Sequence, residues 1–104
     1  MIKPIPCVAF RHAGISDWMD KLREEMEEVI AEAERIELNE NTGALGGDKE
    51  HLAGELTDVI TVCVSWLDAL GYDEEERDEW QRLVNEKNRK RGYHEENKNA
   101  WKSV

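Results

Sequence analysis

The chain has 104 residues, 24 Asp and Glu against 14 Lys and Arg, and a formal net charge of −10. That length allows one small domain with a limited core, and the acidity argues against a nucleic-acid polymer as partner. Hydrophobic residues make up 39% of the chain, too many for a disordered acidic protein.

Residues 1–15 read as an extended or irregular arm, because Pro4 and Pro6 discourage helix. The arm lacks the apolar run of a secretory signal, and no stretch approaches the roughly 18 apolar residues of a membrane span. Cys7 and Cys63 form no C-x-x-C pattern, so the expectation is a reduced, cytoplasmic protein without membrane association. Cys63 itself reads as a small buried hydrophobe.

Ser16 is the expected cap of a first helix over about Asp17 to Leu38. Trp18, Leu22, Met26, Val29, Ala33 and Ile36 make its apolar stripe. Residues 39–49, rich in Asn and Gly, read as a flexible loop. Asp48 is placed to cap a second helix from about Lys49 to Leu70, with Gly71 as its stop. The run Val59–Leu67 is apolar on nearly all sides and rich in β-branched residues, so a strand is conceivable there. The length of the pattern from Leu52 to Leu70 favours a helix, and one buried in a bundle or a subunit interface.

Asp73 and Glu76 have the spacing of a capping box for a third helix ending near Arg91, before Gly92. Residues 93–104 form a polar tail containing Trp101. The expectation is thus a single all-α domain over 1–104, a bundle of three to four main helices completed by oligomerisation.

Two acidic patterns stand beside the apolar stripes. Glu24, Glu25 and Glu28 form E-E-x-x-E on the first helix; Glu55 and Asp58 form E-x-x-D on the second. Residues three or four apart share a helix face. Two such helices packed together would collect four or five carboxylates, which need pairing, protonation or a cation. Carboxylates joined by substrate phosphates suit Mg²⁺. Either pattern alone is common on solvated faces. Lys87 and Arg91 share a face at the end of the third helix. There they complement the helix dipole, and they are also groups that hold phosphate. The three histidines form no E-x-x-H pair, which argues against a di-iron carboxylate bundle, and they read as solvent-facing. Trp66 and Trp80 lie on apolar faces and read as core, whereas Trp18 and Trp101 are candidate nucleobase contacts.

The order Lys21–Val29, Glu55–Ile60, Gly71–Asp73 and Asn85-x-Lys87-x-x-x-Arg91 resembles the MazG-like nucleotide pyrophosphohydrolases of the all-α NTP pyrophosphatase superfamily. The likeness spans roughly residues 17–92; the Gly-rich loop and the N-terminal arm lie outside its pattern. It implies hydrolysis of a nucleoside triphosphate to monophosphate and pyrophosphate, in a homodimer or homotetramer. It implies Mg²⁺, with Mn²⁺ as substitute, held by Glu24, Glu25, Glu28, Glu55 and Asp58. Lys87 and Arg91 match phosphate-contacting positions. Glu24 or Glu25 is the expected proton acceptor for the attacking water. Two other readings are a non-enzymatic oligomeric helical interaction protein and a catalytically inactive nucleotide-binding relative.

Overall fold

The computed structural model describes residues 2–42 and 48–96. These residues are all-helical, with no strand among them: a short 3-10 turn Val8–Phe10, then α1 (Ile15–Thr42), α2 (Lys49–Ala69) and α3 (Glu74–Lys90). Among the described residues no helix is long and apolar enough to cross a membrane. The chain divides into two compact units, Met1–Gly71 and Tyr72–Val104.

The first unit is an antiparallel helical hairpin. Trp18 of α1 stacks on Trp66 of α2 at one end, with ring centroids 6.3 Å apart and planes 11° from parallel. At the other end Glu32 of α1 accepts the Asp48 backbone N–H at 2.7 Å. Between them, the packed line of α1 is Trp18, Leu22, Glu25, Val29, Glu32 and Ile36, all buried or half-buried. Its steps of four, three, four, three and four make a seven-residue repeat. On α2 the matching line is Leu52, Glu55, Val59, Val62, Trp66 and Ala69. Such repeats keep one seam of each helix facing its neighbour.

This seam differs from the apolar stripe read from sequence. Met26 and Ala33 are exposed, and Glu25 and Glu32 take their places inside. The hairpin follows geometric spacing, and the carboxylates are the residues that fall on it. Only one side of α2 is covered within the hairpin. Leu56, Ile60 and Leu70 stay about half exposed, and Cys63 is exposed, not buried.

α1 begins one residue before Ser16, so Ser16 is not its cap. Gly14 opens the helix instead: its carbonyl accepts the Trp18 N–H and its own N–H donates to the Asp17 carboxylate at 3.1 Å. The helix also runs on through Asn39–Thr42, which the loop reading had excluded. Residues 43–47, the rest of that Gly-rich stretch, lie outside the described residues. Asp48 caps α2 as expected, accepting the His51 N–H at 2.7 Å.

The arm is tied down rather than loose. The Cys7 N–H donates to Ser65 Oγ at 2.9 Å, and Ser65 Oγ–H donates on to the Thr61 carbonyl at 2.7 Å. Arg11 Nε meets Asp68 at 3.0 Å.

In the second unit, α3 starts at the anticipated capping box. Asp73 accepts the Glu76 N–H at 2.8 Å, and Glu76 accepts the Asp73 N–H at 3.2 Å. Gly71 and Gly92, the two stop signals, both have positive φ, 101° and 74°, a region that disfavours side chains. Trp80 is not core: it is 50% exposed and meets Tyr72 edge-on at 6.4 Å. Asp73→Ala is expected to cost about 1 kcal/mol, read as faster amide exchange confined to the first turn of α3.

Candidate metal centre

The seam of the first unit carries two buried acids on α1, seven residues apart, in opposite circumstances. Glu32 is 3% exposed and fully engaged. It accepts the Asp48 N–H, pairs with Arg35 at 2.7 Å and receives His51 Nδ1 at 3.1 Å. The Asp48 N–H first, then Arg35 and His51, hold its carboxyl below the ordinary value of 4.5. Its contribution to stability is therefore present above that value and lost as pH falls through its folded value.

Glu25 is 8% exposed. One oxygen meets Lys21 Nζ at 2.9 Å; the other, Oε2, is buried without a hydrogen-bond donor. Glu55 on α2 repeats the pattern, with one oxygen 3.2 Å from His51 Nε2 and Oε2 buried without a donor. Glu28 completes the group. Glu25, Glu28 and Glu55 each present an oxygen within 4.8 Å of the others. Repulsion by neighbouring Glu25 first, and then hydrogen bonding to Glu55, push the Glu28 carboxyl above 4.5. Glu25, Glu24 and Glu28 hold the Lys21 ammonium group protonated to higher pH, mainly through its hydrogen bond to Glu25.

Three carboxylates from two helices, two of them with desolvated and donorless oxygens, form a hard-oxygen donor set. Such a set fits Mg²⁺ or Mn²⁺, and a buried charge left unpaired is costly. The structure thus brings together three of the five expected ligands. Glu24 is 62% exposed at its side chain and leans on Lys21 at 3.7 Å. Asp58 is exposed one turn beyond Glu55. Neither belongs to the trio.

Lys87 and Arg91 lie in the second unit, both exposed and one turn apart. The Arg91 guanidinium sits 5.8 Å from the Tyr93 ring centroid. Trp18, a candidate base contact, is a core residue at 5% exposure; Trp101 lies outside the described residues. Sequence reading passed over Glu32 and His51. His51 is more than half exposed yet bridges Glu32 and Glu55. The available signal was the seven-residue spacing from Trp18 through Glu25 to Glu32.

The acid trio has a measurable pH signature. A raised carboxyl favours the folded state below the ordinary value of 4.5, and that advantage is lost as pH rises through the folded value. A cation held there would compete for the same oxygens. On a metal-binding reading, stabilisation by Mg²⁺ should be absent in acid and grow as pH rises through the folded value of Glu28. Melting curves with Mg²⁺ and with EDTA check this, and Glu28→Gln should flatten the difference.

Comparison with protein-family models, with curated proteins and with solved structures gives no match.

Proposed function

We propose that this protein is a Mg²⁺-dependent nucleoside triphosphate pyrophosphohydrolase, releasing monophosphate and pyrophosphate. The observation that carries the reading is the contrast between the two buried acids of α1. Glu32 is satisfied by donors, whereas Glu25 is buried beside Glu28 and Glu55 with an oxygen lacking any donor. The E-E-x-x-E and E-x-x-D resemblance supplies the reaction class.

In this reading Glu25, Glu28 and Glu55 hold the cation, with Asp58 one turn further along α2. When bound, Mg²⁺ would neutralise the phosphates and the charge that develops on them. Lys21 balances Glu25 while leaving its second oxygen available. Of the two expected proton acceptors, Glu25 is committed to the trio, and this reading therefore assigns the proton of the attacking water to Glu24, which is exposed and outside it. Lys87 and Arg91 are assigned to the phosphates on the strength of the resemblance.

Both helices of the hairpin carry apolar side chains beside the seam: Met19, Met26 and Ile30 on α1, Leu56 and Ile60 on α2, with Leu70 just past its end. Exposed apolar surface of this kind supports association, and a homodimer or homotetramer completing a three- to four-helix bundle is part of the proposal. A cytoplasmic location suits a substrate drawn from the nucleotide pool.

The test is pyrophosphate release from standard and modified nucleoside triphosphates, with Mg²⁺ and with EDTA. Metal-dependent release with monophosphate as co-product is expected. Absence of turnover across the panel would overturn the reading.

A further inference from the structure

The hairpin has two unlike faces. One step past Trp18, Glu25 and Glu32 on α1 stand Met19, Met26 and Ala33; one step past Glu55, Val62 and Ala69 on α2 stand Leu56, Cys63 and Leu70. In an antiparallel helix pair these two sets share one side of the seam. The other side holds the arm and the acids, with Lys21 and Glu28 of α1 and Ser65 of α2.

The side away from the arm is apolar. On α2 it forms a second line, Ala53, Leu56, Ile60, Cys63, Leu67 and Leu70, of which Leu56, Ile60 and Leu70 are about half exposed. On α1, Met19, Met26 and Ile30 edge a groove. The α2 line carries no charge, in a chain with 37% charged residues. The acids of that span are turned elsewhere. Glu55 lies in the seam, Asp58 follows the acid side, and Asp68 holds Arg11 of the arm at 3.0 Å. Thr57, beside the line, donates its hydroxyl to the Ala53 carbonyl at 2.7 Å, so it calls for no polar partner.

The partner that fits is charge-free along its contact, and a second copy meets that requirement. A net charge of −10 repels two copies wherever their acids meet, and along this line they do not meet. The line is also its own complement. Its steps of three, four, three, four and three read the same in both directions. A reversed copy therefore sets Ala53 against Leu70, Leu56 against Leu67 and Ile60 against Cys63, small beside large at both ends. A parallel copy would instead gather the acidic starts of both α2 helices, Asp48 and Glu50, and align the helix dipoles.

We propose that two copies of this chain associate through the outer line of α2, antiparallel about a two-fold axis, with both acid trios facing away from the contact. This assembly rests on the association proposed above and is independent of the reaction class.

The experiment uses the full chain without nucleotide. Light scattering should give twice the chain mass, falling to one on dilution. Maleimide labelling of Cys63 should slow at least about tenfold as the dimer fills, while Cys7, on the opposite face, labels at one rate throughout. Ile60→Lys should be monomeric where the parent is dimeric, with helical content kept, since Ile60 is 53% exposed in the hairpin. Leu38→Lys, on the acid side two seven-residue repeats beyond Glu24, should dimerise as the parent does. Nitroxides placed by Glu50→Cys in a Cys7→Ser, Cys63→Ser chain should lie about 35 Å apart in the antiparallel pair. Monomer mass at every concentration, a dimer that survives Ile60→Lys, or nitroxides closer than about 20 Å would overturn the proposal. Loss of Mg²⁺ stabilisation in the Ile60→Lys monomer would overturn the separation of the two faces. A dimer with all these properties and no Mg²⁺ stabilisation in the parent chain would leave the interface standing and count against the hydrolase reading instead.

Discussion

Glu25→Gln is expected to make the cation-free protein more stable while removing its activity. The substitution keeps the shape of a side chain that is 8% exposed and removes a charge crowded by Glu28 and Glu55. Against this stands the lost pair with Lys21, whose side chain is 48% exposed. An i,i+4 pair of that kind contributes only about 0.3–0.5 kcal/mol. The Gln amide N–H can donate to Glu28 or Glu55 where the carboxylate oxygen had no donor, relieving a cost of about 1–3 kcal/mol, so relief wins and the melting temperature rises by about 5 °C. Pyrophosphate release should fall about 100-fold or more, since a group that stabilises developing charge contributes on that scale. The rise in melting temperature on adding Mg²⁺ should shrink with it. Glu32→Ala makes the control: it releases the Asp48 N–H, Arg35 and His51 together. The melting temperature should drop by on the order of 10 °C, with kcat per folded molecule largely kept. If both variants lost stability and activity in parallel, the two acids would not have separate roles.

Trp18→Ala should be the most damaging single change to the fold. Truncation of a buried Trp costs about 3–5 kcal/mol, against a total of about 5–15 kcal/mol for a domain. Here the ring is 5% exposed and is stacked on Trp66, so its loss opens the hairpin at the end where the arm is attached. Urea unfolding would show the midpoint moving down with the slope preserved. Trp18→Phe retains an aromatic ring and removes the indole N–H that lacks an acceptor, so its cost should be much smaller. Comparable losses for the two variants would mean that the full indole, and not any aromatic ring, is needed to fill that end of the hairpin.

The three helices were legible because their ends are written in local chemistry. Asp48 and Asp73 cap where expected, and Gly71 and Gly92 stop where expected. Ser16 misled because a neighbouring residue solved the same problem: Asp17 accepts the Gly14 N–H, and the helix starts earlier. The seam was misplaced by one residue at two points, since polarity favoured Met26 and Ala33 while the seven-residue spacing from Trp18 packs Glu25 and Glu32. Hydropathy reads the cost of burying each side chain in isolation. It misses the partners that offset that cost, and Glu32 gathers its partners from α2 and from the residue that caps it. The acid patterns were visible as patterns. Which acids converge was not, because convergence depends on the antiparallel register that sets Glu55 against Glu25 and Glu28.

On the proposed metal-binding reading, the seating of Glu25 and Glu55 inside the helix–helix seam would give occupancy a bearing on the protein's lifetime. Acids on a solvated surface can lose a cation without structural penalty, whereas here the same loss would leave like charges across the contact that closes the hairpin. Molecules lacking the ion would open more often between α1 and α2, and a protease acts on the open fraction. Divalent-ion supply would then govern how many copies survive as well as how fast each one works, and chelation would shorten the half-life of the chain.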